Sequence, residues 1–255
     1  LHLGKDSSSD SGGSNVSVGQ TSMSSITSGS RNTSAGINSA RSLTVGTKNV
    51  AIGDYALYTN VQGAKNTAVG SEAGFNSTGS DNTFIGYGIF RNGGTGSSNT
   101  ALGAGALYVG TSGSSNVAVG NISMRSNSSG SNNVAVGLAA GIAITTGSSN
   151  TLLGSRTNTS SASANNQTAI GFQAKGQADN SVTLGNDSVN AIYMASDAEA
   201  IVYAGGITFN DGTTMTTAAG AGADGAQGPQ GEQGPKGDTG DTGATGATGA
   251  QGPQG

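Results

Sequence analysis

Along most of the chain one short block recurs: Asn, then Val or Thr, then usually a small residue, then an aliphatic, then Gly. It occurs eleven times, closing at Gly19, Gly36, Gly53, Gly70, Gly86, Gly103, Gly120, Gly137, Gly154, Gly171 and Gly185, in steps of 17 residues except one of 16 and a last one of 14. The second slot (Val16, Thr33, Val50, Thr67, Thr83, Thr100, Val117, Val134, Thr151, Thr168, Val182) is β-branched throughout, which is strand chemistry. The fourth slot (Val18, Ala35, Ile52, Val69, Ile85, Leu102, Val119, Val136, Leu153, Ile170, Leu184) lies two residues further on, so both project from one face of a strand. Each block therefore predicts one short strand whose apolar face repeats identically.

Three residues before each block a glycine recurs, from Gly12 and Gly29 to Gly130 and Gly147, often followed by Ser, and this predicts a fixed corner with positive φ. Three residues after the closing glycine stands a mostly small side chain (Ala56, Ala73, Ala106, Ala140, Ala174, with Ile89 as the exception), where a second, weaker strand is expected to start. A 17-residue coil of two short strands is one turn of a parallel β-solenoid, in which each strand pairs with its equivalent in the next coil. Asn fills the first slot from Asn15 to Asn150 before Gln167 and Ser181 replace it, so its amides are expected to stack as a ladder. The aromatics Tyr58, Phe75, Phe90 and Tyr108 fall at the far end of the expected second strand, where packing against a neighbouring chain is favoured over stacking on sugars.

From Gly222 to Gly255 every third residue is Gly, the period required where three polyproline-II chains wind about one axis. One chain cannot make that helix, so the pattern predicts a homotrimer. Pro229, Pro235 and Pro253 directly follow glycines, and the positions before Gly hold Asp, Gln, Lys and Thr rather than hydroxylatable Pro, which points to a bacterial or viral product. Lys236 and Asp238 read either as a pair across chains or as solvated surface. Between repeat and tail, Ile207–Phe209, then Asn210-Asp211-Gly212, then Thr213–Met215 predict a hairpin, and Ile192 and Tyr193 a further strand. Asp211-Gly212 lacks the alternate acidic partners of a calcium loop, so no metal is assigned.

Composition narrows the function. Gly supplies 46 of 255 residues, Trp and Cys are absent, aromatics make up 4% and charged residues 9%, which disfavours an ordinary globular enzyme and leaves no thiol chemistry. A net charge of −4 disfavours both disorder and a phosphate-tracking nucleic-acid binder, and no apolar run is long enough to span a membrane. The single histidine, His2, sits in a Ser-rich start, and the carboxylates Asp54, Glu72 and Asp81 occupy unrelated positions in their coils. No catalytic, cofactor-binding or metal-binding residue is assigned, no cofactor is expected, and the receptor-binding residues are unknown at this stage. Leu1 in place of an initiator Met and an end in mid-repeat suggest an excised piece.

The block Gly103-Ala-Gly-Ala-Leu-Tyr-Val-Gly-Thr-Ser-Gly-Ser-Ser-Asn-Val-Ala-Val-Gly120 resembles the head repeats of trimeric autotransporter adhesins and related repeats of bacteriophage tail fibres. The resemblance covers residues 12–185. The run from Gly205 to Thr214, followed by Gly-X-Y triplets, looks more like phage fibres. It implies an all-β, homotrimeric parallel β-solenoid with 17-residue coils, then a collagen triple helix. The expected organisation is a flexible segment 1–11, the solenoid 12–185, a trimerisation junction 186–221 and the collagen-like tail 222–255. The implied role is a non-enzymatic extracellular shaft on a virion tail fibre. Its partners would be its own copies and a host-surface glycan or protein receptor, without nucleic acid or membrane insertion. A bacterial cell-surface adhesin or matrix filament is the alternative, and a polysaccharide-cleaving tailspike, which needs paired carboxylates in a groove, is the third.

Overall fold

The computed structural model describes residues 14–110, 112–193, 204, 206–209, 211–215, 240, 242–249 and 251–252. The chain divides into two units, Leu1–Ile192 and Tyr193–Gly255. In the first, each block forms one strand: β1 (Val16–Val18), β2 (Thr33–Ala35), β3 (Val50–Ile52), β4 (Thr67–Val69), β5 (Thr83–Ile85), β6 (Thr100–Leu102), β7 (Val117–Val119), β8 (Val134–Val136), β9 (Thr151–Leu153), β10 (Gln167–Ile170) and β11 (Ser181–Leu184). They lie in chain order in one eleven-stranded parallel sheet, in a register that sets each slot on its equivalent, as in Leu102↔Val119 and Val119↔Val136. This is a parallel β-solenoid, and at ~4.8 Å per strand its ten steps extend ~48 Å.

The second strand of each coil does not form. In its place stand two consecutive turns, closed in the third coil by Ala56 N–H to Gly53 O (3.2 Å) and Asn60 N–H to Leu57 O (3.2 Å). Left-handed residues recur in these turns at fixed offsets, for example Tyr55 at φ 59° and Leu57 at φ 49°. The stacking survives the change, because Tyr55 N–H donates back to Ile37 O (2.9 Å) and Leu57 N–H forward to Ala73 O (3.0 Å).

The corner glycines also do something other than expected. The positive φ lies just before the Asn, at Arg31, Lys48, Lys65, Asp81, Ser98, Ser115, Asn132 and Ser149, and not at Gly29 to Gly147. Those glycines are required by close approach: a Cβ on Gly113 would overlap the carbonyl oxygen of Gly130 in the next coil. Gly12 lies outside the described residues.

The core lies inside the coil and is thin. The third slot of the strand points inward, and from Ser34 to Ala169 its side chains are at most 1% exposed. It faces the small residues of the turn layer, such as Ala56, Ala73 and Ala106, which are fully buried. A single chain thus excludes water from its small residues, so the low content of bulky groups does not by itself require three chains. Where a large ring enters, glycine makes room. Phe84 and Phe90 stack at 5.0 Å, and a Cβ on Gly93 or Gly110 would overlap the Phe90 ring. Phe90 is therefore an interior side chain, which corrects its expected place beside Tyr58, Phe75 and Tyr108; Arg91 occupies that outward position.

In the second unit β12 (Ile207–Thr208) and β13 (Thr214–Met215) pair antiparallel, the expected hairpin. Asp211 Oδ1 accepts from the Thr213 hydroxyl (2.6 Å) and amide (2.9 Å), bonds that lower its pKa from the ordinary carboxylate value. Ala191–Tyr193 carry no strand, contrary to expectation. Lys236, Asp238 and the three prolines of the tail lie outside the described residues, as do Asn210 and His2.

Candidate functional site

The Asn column is internal. Asn116 shows the pattern: its Nδ2 donates to Gly130 O (2.9 Å) and to Asn99 Oδ1 (3.1 Å), while its Oδ1 accepts from the amide (3.0 Å) and the Nδ2 (3.2 Å) of Asn133. The same bonds repeat from Asn32 to Asn150, all buried, and end where Gln167 N–H meets Asn150 Oδ1 at 2.9 Å. The amide ladder is thus structural. It leaves no donor facing solvent for a ligand. Replacing Asn116 by Ala strands the Asn133 amide and removes a donor from Gly130, at about 1–3 kcal/mol per orphaned group. The expected loss is about 2–4 kcal/mol, read as a lowered urea midpoint with unchanged slope.

The outward face of the strands has the opposite character. Ile52, Ile85, Leu102, Val136, Leu153, Ile170 and Leu184 are 37–45% exposed, and they stand beside the Val/Thr column. Neither column holds a charged residue in any of the eleven strands. Two columns wide and ~48 Å long, one column aliphatic throughout and the other mixed Val and Thr, this largely apolar stripe covers the several hundred Å² at which a patch marks an interaction surface. Since the third slot and the turn layer enclose the core, the turn layer presents its outer side away from the stripe.

On that outer side a second column runs Arg41, Tyr58, Phe75, Arg91, Tyr108, Arg125, one residue per coil. It is largely satisfied by itself. Tyr58 and Phe75 stack at 5.0 Å, Arg41 Nη1 donates to the Tyr58 hydroxyl (2.9 Å), and Arg125 lies over Tyr108 at 5.4 Å. Arg91 Nη1 donates to the Tyr108 hydroxyl (3.2 Å) and its Nε meets Glu72 Oε2 at 2.6 Å, contacts that in that order raise its pKa. The Tyr58 and Phe75 rings cover one another's faces, so this pair offers edges rather than a platform for a sugar.

The three carboxylates singled out in the sequence are not brought together. Asp54 Oδ1 accepts from Ile37 N–H (2.9 Å), Glu72 holds Arg91, and Asp81 pairs with Lys65 at 3.5 Å on the surface. What sequence reading missed is the distribution of charge. Residues 14–193 hold eight Lys or Arg against five Asp or Glu, a net +3 within a chain of −4, and the remaining segments are acidic. The signal was present in the sequence but is hidden by the overall sum. Comparison of the chain with family models, curated proteins and solved structures gives no match.

Proposed function

We propose that the chain is a non-enzymatic structural segment of a homotrimeric attachment fibre, exposed outside the cell as part of a bacteriophage tail. The observation that carries this reading is the uncharged stripe of aliphatic and Val/Thr side chains on the outer side of the sheet. It repeats in register through eleven strands, and in a single chain it would remain in water. A surface of one period is best matched by another of the same period, and the occupant that offers this is a second copy lying parallel. The Gly-X-Y tail sets the number at three. Three stripes meeting about a common axis would be buried together, leaving the column of arginine and aromatic residues outermost on the shaft. In this assembly the upstream solenoid holds three tails side by side at high effective concentration, which favours a triple helix so poor in proline.

Sedimentation equilibrium of the full chain in mild buffer should return three times the 24.5 kDa of one chain. A folded particle of one chain's mass would overturn the proposal.

A further inference from the structure

We infer that the cleft over the last full coils, lined by Arg156, Asn158, Ser160, Gln173 and Lys175, binds a saccharide bearing a carboxylate. The cleft arises where the repeat changes. Four residues after the closing glycine, upstream coils place an interior side chain such as Leu57, Leu107 or Met124. At the equivalent positions here stand Asn158, half-buried, and Lys175, exposed, joined by a parallel bridge. The resulting cavity measures about 370 Å³, within the range that takes a small ligand. Gln173 and Lys175 also line an adjoining cleft of about 700 Å³, so the groove continues towards Asp187.

Its chemistry is donor-rich. Among the described residues the side chains of Arg156, Gln173 and Lys175 make no hydrogen bond or ion pair. Asn158 Oδ1 accepts from Ala143 N–H (3.1 Å), which leaves its amide hydrogens free, and Ser160 Oγ accepts from Gln167 Nε2 (2.6 Å), which leaves its own hydrogen free. Two cations and several amide or hydroxyl donors, with no aromatic ring in the lining, match the carboxylate and hydroxyl oxygens of an acidic sugar. The same lack of rings disfavours single-stranded nucleic acid, which needs a stacking platform. The cleft is built within one chain, so its test stands apart from that of trimer formation.

The full chain is titrated calorimetrically with a glucuronic-acid-containing tetrasaccharide and with sialyl-lactose, each beside its carboxyl-reduced form. At least one acid form should bind, its reduced form at least about tenfold more weakly, and excess inorganic phosphate should not compete. Arg156→Ala with Lys175→Ala should weaken binding by about tenfold or more, and both side chains are exposed, so an unchanged melting curve confirms an intact fold. The proposal is overturned if neither acid binds at millimolar concentration or if the reduced forms bind equally. Competition by phosphate, or full affinity in the folded double variant, overturns it as well.

Discussion

Replacing Gly120 by Ala should break the solenoid at β7, lowering stability by more than about 4 kcal/mol. Two independent demands meet at this position. Its φ is +130°, far from the left-handed well near +57° that an L-residue can visit. A Cβ would also stand 2.6 Å from the carbonyl carbon of Gly137 and overlap its oxygen, and backbone cannot step aside as a side-chain tip can. Because each coil touches only its neighbours, a break in the middle separates two short stacks, neither long enough to hold as the whole does. Gly88 provides the contrast. It has φ +60°, nothing lies within 4 Å of its Cβ position, and Tyr55, Glu72 and Ile122 adopt the same conformation at equivalent places. Gly88→Asn should therefore stay within about 1 kcal/mol of the parent. Urea melts of the two variants, with limited proteolysis to locate the break, check both expectations.

Those two glycines also mark what could be read from the sequence. The closing glycines, the strand positions and the Asn ladder follow from period and residue type, since identical residues at one interval must stack. The hairpin at Asp211-Gly212 follows from its turn chemistry in the same way. Alternation along Val117-Ala118-Val119 separates two faces, but period alone cannot say which is interior; here the Ala side is, facing the buried turn layer, a slot that Phe84 and Leu152 fill in their own coils. The second strand failed for a different reason. Small residues such as Ala56 and Ala73 suit a strand's inner face and a tight turn equally, and the left-handed backbone at Tyr55 and Leu57 leaves only a partial trace in residue type, with glycine at the equivalent places in a few coils such as Gly88, Gly105, Gly74 and Gly141. The corner glycines showed a true requirement with a misread cause, as steric exclusion and positive φ select the same residue. The cleft at Arg156 and Lys175 lay hidden because it depends on side chains of successive coils turning outward together.

Leu102→Glu combined with Val119→Glu should break the proposed three-chain assembly into single chains while leaving each coil folded. The two residues are register partners in β6 and β7, and both point out of the sheet, so the buried Ala101 and Ala118 between the layers are untouched. In a lone chain the new carboxylates sit in water and alter stability by no more than about 1 kcal/mol. In the proposed assembly six of them would enter the shared axis without cationic partners, since no charged residue occupies either column. Burying an unpaired carboxylate costs several kcal/mol even after relaxation, and like charges facing one another add to it. Thr95→Glu, on an exposed corner away from the stripe, adds charge without this penalty and should leave the mass unchanged. Light scattering after size exclusion gives the mass, and circular dichroism reports whether the sheet persists. Three-chain mass in the double variant would remove the stripe from the interface, whereas loss of mass together with loss of the sheet would make association a condition of folding rather than its consequence.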